Sequence, residues 1–268
     1  MKYSIFSCLL LVGVYSHSQL NISGSFSIVA ICKDGILIGA DTRMSFSVGD
    51  HSPSQSEVLA YRDTIQKIFI IQNFALSVTG ISHVGDSSLD IYFSDFEKTI
   101  PKNSTVLVAK DSLFNFLYNK YSGRLNIFLQ QKIFIAGYEN GEPTLGVLQY
   151  GEYHYGSGSG FITTNDSSGF EKKYSKEYTC EQMKPIIVDC IKSYAKSRNY
   201  TVGGPIMVLK ISPQNKFSWM TKLPKFRQWA SARQLILDYS NGKVNMKFPN
   251  EIKKNEFKKF VNSFLKTH

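Results

Sequence analysis

Gly24-Ser25-Phe26-Ser27-Ile28-Val29-Ala30-Ile31-Cys32-Lys33-Asp34-Gly35-Ile36-Leu37-Ile38-Gly39-Ala40-Asp41-Thr42-Arg43 is the stretch whose reading decides the fold. From Ser25 to Ile31 apolar residues alternate with small ones, Lys33-Asp34-Gly35 is a turn signal, and Ile36 to Ala40 is a short apolar run. The pattern predicts a β-hairpin with a buried second strand. Downstream, residues 44–62 are polar, with Gly49, Asp50, Ser52 and Pro53 clustered, and read as a long loop. Order resumes in residues 66–71, followed by Asn73 and an apolar stretch over 74–79, which predicts a second hairpin.

In residues 82–100 and 106–121 apolar positions recur every three or four residues, as in Leu113, Phe114, Leu117 and Tyr118, and predict two helices. Strands are expected over 132–138 and 145–150, joined by a turn at Asn140-Gly141-Glu142-Pro143, with a short piece at 153–155. A third helix fits 181–197, and two further strands fit 206–211 and 217–221. This order predicts an α+β fold of two packed sheets flanked by helix layers.

Upstream, Met1-Lys2-Tyr3 precedes an apolar run from Ile5 to Val14 and then small residues at Ser16 and Ser18. The run is too short to span a bilayer and reads as a signal peptide over 1–18, which implies a secreted or periplasmic chain. Residues 19–24 would then remain as a short propeptide. The whole chain has 268 residues and is 43% apolar, enough for a continuous core and incompatible with disorder, collagen or coiled coil. Thirty-one Lys and Arg against 21 Asp and Glu give a net charge of +10, which favours acidic partners or surfaces without naming one.

No cofactor or metal is expected, because His17, His51, His83, His154 and His268 are scattered and no pair has ligand spacing. Without Cys8 of the leader, Cys32, Cys180 and Cys190 form an odd set with no CxxC spacing, and no disulfide framework is indicated. Cys180 and Cys190 fall on one predicted helix, roughly 15 Å apart, and read as small buried hydrophobes. From Lys243 onward seven lysines face two glutamates, while Ile252, Phe257, Phe260, Val261, Phe264 and Leu265 form an apolar stripe at helical spacing. Residues 223–268 are therefore read as a basic helical extension, either docked on the domain or available for an anionic surface.

Gly24-Ser25, Gly35 and Ala40-Asp41-Thr42-Arg43 together resemble the start of proteasome β subunits, which are N-terminal-nucleophile hydrolases. The resemblance continues at Thr64-Ile65-Gln66-Lys67-Ile68, at Gly80 after Leu76-Ser77-Val78-Thr79, at Gly156-Ser157-Gly158-Ser159, and at Gly203-Gly204 before Pro205. It covers residues 25–211 and implies a four-layer αββα sandwich within a domain spanning 25–222. It also implies that Ser25 is the nucleophile, Lys67 and Asp41 are its charged neighbours, Gly80 is an oxyanion donor, and Ser157 lies beside the nucleophile. Asn199 falls where the family has an aspartate, Val202 where it has a serine, and Ser25 where it has a threonine.

A serine hydroxyl needs a base, and in this architecture the base is the chain's own α-amine, with a pKa of roughly 8. The amine exists only after the bond between Gly24 and Ser25 is cut. The resemblance thus implies an amidohydrolase or peptidase acting on a peptide or a small amide, with homo-oligomer formation through the flanking helices. No nucleic-acid partner is expected. The substitutions at 199 and 202 keep a second reading open, a proteasome-like scaffold or binding protein without catalysis.

Overall fold

The structure is a computed structural model that describes residues 20–48, 57–63, 65–80, 83–84, 87–121, 132–149, 160–164, 168–198, 200–226, 229 and 231–267. It is a mixed α and β fold with several antiparallel sheets, as the order of sequence patterns predicts. The deciding stretch forms β2 (Ser27–Cys32) and β3 (Gly35–Ala40), paired from Ser27↔Ala40 to Cys32↔Gly35. All six residues of β3 are buried, so its pleat is covered on both faces. Ile36, Ile38 and Ala40 point into one apolar cluster and Leu37 into another, the period of two expected of a strand.

A five-stranded sheet has the order β12-β2-β3-β13-β14, adding β12 (Phe161–Thr163), β13 (Met207–Ile211) and β14 (Phe217–Trp219). A four-stranded sheet has the order β11-β10-β7-β6, from β6 (Ile68–Ile71), β7 (Phe74–Thr79), β10 (Lys132–Glu139) and β11 (Glu142–Gln149). One cluster joins the two sheets, with Val29, Ile38, Met207 and Leu209 from the first against Ala75, Phe134, Ala136 and Val147 from the second. Within it Ser77 Oγ donates to Ser27 Oγ at 2.8 Å, a hydrogen bond between sheets that satisfies two buried hydroxyls.

The other face of the four-stranded sheet carries α1 (Leu89–Thr99) and α2 (Val106–Tyr121), which bury Phe93, Phe96, Leu113 and Leu117 on Leu76, Val78, Ile133 and Ile135. A short α3 (Ser168–Glu171) precedes α4 (Cys180–Ser197), which packs Met183, Ile187 and Ile191 on Ile28, Ala30 and Leu37. The start of α4 is fixed by a capping box: Thr179 Oγ1 accepts from Gln182 N, and Gln182 Oε1 accepts from Thr179 N at 2.9 Å. The first helix begins at Leu89 rather than at residue 82, because His83–Val84 (β8) and Ser87–Ser88 (β9) pair with each other first.

The expected loop over residues 44–62 is strand at both of its ends, and residues 49–56 lie outside the described residues. Met44–Val48 (β4) and Ala60–Arg62 (β5) are strands, and β4 lies between β5 and β1 (Leu20–Ser23) in a three-stranded sheet. The serines at 45 and 47 gave the segment its polar look, yet they alternate with Met44 and Phe46, which are 1% and 0% exposed. The apolar side of this sheet is covered by the C-terminal residues. These form two helices rather than one, α5 (Ala232–Ser240) and α6 (Glu251–Thr267), with Trp229, Leu235, Ile236, Phe257 and Val261 packed on Met44, Phe46 and Ala60. Ile252 departs from the expected stripe at 69% exposure, while Phe260, Phe264 and Leu265 are partly buried. Tyr61 and Lys247 exchange backbone hydrogen bonds at 2.8 and 2.9 Å, so the last segment also closes the free edge of β5.

Candidate functional site

The starts of β2 and β6 and the ends of β3 and β7 converge near Ser25. Asp41, directly after β3, is fully buried and accepts four hydrogen bonds. Its Oδ1 accepts from Phe26 N at 2.8 Å and from Lys67 Nζ at 2.9 Å. Its Oδ2 accepts from Arg43 N at 3.0 Å and from Gly203 N at 2.9 Å. Three backbone amides and one ammonium thus hold a single carboxylate, a set that compensates its burial.

Lys67 precedes β6 and is 6% exposed, unlike a solvated lysine at a sheet edge. Besides Asp41, its ammonium donates to the carbonyl oxygen of Gly24 at 2.7 Å. Burial pushes the Lys67 pKa below its ordinary value of 10.5, and the charge and hydrogen bond of Asp41 oppose that shift. Ser25 is half-buried and its hydroxyl donates to the carbonyl of Val78 at 3.3 Å. Lys67 therefore contacts the carbonyl of the peptide bond whose nitrogen belongs to Ser25.

Gly24 is required by conformation and by space. Its φ is +99°, and a β-carbon there would lie 2.4 Å from the carbonyl oxygen of Thr201. Gly80, directly after β7, has φ +98° and lies two residues beyond the carbonyl that Ser25 contacts. The segment 200–205 walls the same corner: Ser45 Oγ donates to Tyr200 O at 2.6 Å, and Thr42 Oγ1 to Pro205 O at 2.9 Å. Val202 is 3% exposed and packs in the cluster beneath β2, with no hydroxyl to offer.

The structure thus brings together Ser25, Asp41 and Lys67 and places Gly80 at the end of the adjoining strand. Ser157 and Asn199 lie outside the described residues, as do the leader at 1–18, the Gly156 to Ser159 segment and the piece at 153–155. Asp63 was missed in the sequence. It pairs with Arg43 through Nε at 2.7 Å and with Lys247 Nζ at 2.8 Å, so the Arg43 side chain binds Asp63 while only its backbone binds Asp41. Burial alone would raise the Asp63 pKa, but the hydrogen bonds from Arg43 and Lys247 outweigh it and hold the carboxyl below 3.8. Arg43 also stacks over Tyr61 at 4.4 Å. The only sequence signal for Asp63 was its acidic character, directly after the stretch 44–62 read as loop.

A second missed group supports β2. Thr164 Oγ1 accepts from Ser27 N at 2.8 Å and donates to Ser27 O at 3.1 Å, and Lys132 Nζ donates to Thr164 O at 3.2 Å. Among the described residues, no three His, Cys, Asp or Glu side chains group in a way that could hold a metal ion. Also among them, no helix is long and apolar enough to cross a membrane. Comparison with protein-family models and with curated proteins finds no match to this chain.

Proposed function

We propose that this protein is a proteasome-like N-terminal-nucleophile amidohydrolase, built as an αββα sandwich, in which Ser25 attacks a peptide or small-amide carbonyl. The observation that carries the reading is the Lys67 ammonium held between Asp41 Oδ1 and the Gly24 carbonyl oxygen. A cation at that oxygen stabilises negative charge developing on it, which an ordinary strand lysine does not do. In the unprocessed chain the Ser25 hydroxyl would add to the Gly24 carbonyl, the C–N bond would break, and water would hydrolyse the resulting ester. The products are a carboxylate at Gly24 and a free amine at Ser25. That amine then serves as the base for Ser25 Oγ towards an external amide, while Lys67 stays charged beside it.

Gly80 is assigned the oxyanion N–H, and Ser157 and Asn199 the supporting positions that the resemblance implies. The leader makes the protein an exported one, secreted or periplasmic. Self-association through the helices on the sheet faces and contact of the lysine-rich α6 with anionic surfaces belong to the same reading.

The test is the intact mass and N-terminus of the wild-type chain and of Ser25→Ala. The reading expects a wild-type chain beginning at Ser25 and an S25A chain that retains residues 19–24. A wild-type chain that keeps those residues overturns it. Val202, apolar and buried where a supporting hydroxyl is implied, favours a second reading as a non-catalytic scaffold. Under that reading wild type and S25A have the same N-terminus and the same partners.

A further inference from the structure

Cys32 ends β2 and Cys180 begins α4. Cys32 is in register with Gly35 across the hairpin. Residues directly opposite on antiparallel strands project to the same face, with β-carbons about 4.5–5.5 Å apart. Gly35 has no side chain, and the Cys180 sulfur occupies that space, 3.0 Å from where a Gly35 β-carbon would be. The Cys180 thiol consequently lies beside that of Cys32. The two are 5% and 0% exposed and belong to one cluster with Phe26, Phe170 and Met183.

The backbone around the pair is tied on both sides. Lys33 N donates to Tyr178 O at 2.9 Å, and Cys180 N donates to Asp34 Oδ1 at 2.7 Å. The second oxygen of Asp34 accepts from Lys210 Nζ at 2.6 Å. Cys190 is excluded as a partner, since it lies ten residues further along α4, roughly 15 Å from Cys180. In this structure Cys32 and Cys180 are separate thiols.

We propose that Cys32 and Cys180 form a structural disulfide, joining the β2–β3 hairpin to α4, when the chain folds in the presence of an external disulfide. The oxidant is glutathione disulfide or a disulfide-bearing protein. One cysteine thiolate attacks it and releases one external thiol, leaving a mixed disulfide. The second cysteine attacks that intermediate and releases the other external thiol. Two cysteine thiols thereby lose two electrons and two protons, and the external disulfide becomes two thiols.

The bond forms during folding rather than afterwards. In the folded chain both sulfurs are buried, and the neighbouring Cys32, burial and the nearby Asp34 hold the Cys180 thiol well above its usual range. An external disulfide reaches neither buried sulfur there, so the pair has none of the exposed character of a redox catalyst or sensor. The inference is independent of the chemistry at Ser25.

The experiment reduces and denatures the full chain, refolds it in a buffer of reduced and oxidised glutathione, alkylates the remaining thiols, and maps peptides without reduction. The expected product carries a Cys32–Cys180 cross-link with Cys190 alkylated, and Cys190→Ser gives the same link. Reductant should lower the thermal midpoint of the linked chain, and the already folded, reduced chain should acquire the link at least tenfold more slowly. Recovery of folded chain with both Cys32 and Cys180 alkylated overturns the proposal, as does pairing of either with Cys190. Equal rates of linkage in folded and refolding chains overturn the order of events, and an unchanged thermal midpoint overturns the structural role.

Discussion

Replacing Lys67 by Met tests what Asp41 is for. The substitution keeps much of the side-chain volume and removes the charge, leaving the Asp41 carboxylate buried with its three amide donors, Phe26, Arg43 and Gly203. Breaking one side of a buried pair costs about 3–5 kcal/mol, and the amides place this case towards the low end. With a urea slope near ~3 kcal/mol/M for a chain of this size, the denaturation midpoint should fall by about 1–2 M. Domain stabilities of about 5–15 kcal/mol leave the K67M chain folded in water.

The decisive comparison is the double variant Lys67→Met with Asp41→Leu. Were Asp41 only the counter-ion of Lys67, removing both charges would restore stability. The three amide N–H groups predict otherwise, since each left buried without an acceptor costs about 1–3 kcal/mol. No recovery is therefore expected in urea melts followed by circular dichroism. A double variant as stable as wild type would refute the assignment of Asp41 as the organiser of this backbone corner. In both variants the chain should retain residues 19–24, read by intact mass.

Gly24→Ala should slow cleavage before Ser25 by tenfold or more, because the added β-carbon meets the Thr201 carbonyl oxygen and displaces the Gly24 oxygen from Lys67; time-resolved mass spectrometry of the precursor measures it. Phe257→Ala should destabilise the chain by about 3–5 kcal/mol in urea melts, since Phe257 is 1% exposed among Phe46, Tyr239 and Phe248. Asp63 titrates below 3.8 when folded, so its stabilising contribution is present above the unfolded value and disappears as pH falls through the folded one. Asp63→Asn should accordingly weaken the loss of stability on acidification below pH 3.8, read by thermal melts across pH. Lys67 titrates below 10.5 because it is buried, so the ammonium at the Gly24 carbonyl is lost before the pH reaches 10.5. Cleavage before Ser25 should therefore fall on an alkaline limb centred below 10.5, and a rate constant through pH 10.5 would oppose a charged Lys67.

The elements legible in the sequence were those with a single clear period. The β2–β3 hairpin, the β6–β7 hairpin, α2 and α4 carry unbroken apolar patterns, and the chain folds along them. β4 and β5 were hidden because their inward polar partners, such as Ser45 bonded to Tyr200 O, are satisfied by residues far along the chain. No local pattern announces such a partner. The same physics separates Asp41 from Asp63. Asp41 follows a recognisable strand, while Asp63 acquires its role from Arg43 and Lys247, the latter 184 positions away in sequence. β1 could not be anticipated either, since its four residues gain an acceptor row only from β4.

The cover over β4 and β5 has a consequence for how the chain is made. Met44, Phe46 and Ala60 emerge early in synthesis, whereas Trp229, Leu235, Phe257 and Val261 emerge last. Through most of elongation the apolar side of that small sheet has no partner, a state prone to self-association unless a chaperone holds it. Completion of the three-stranded sheet, and with it the setting of Gly24 and Ser25, waits for the final helix. A premature stop codon between residues 229 and 261 would thus damage β4 and β5, although the lesion lies about two hundred codons downstream of them.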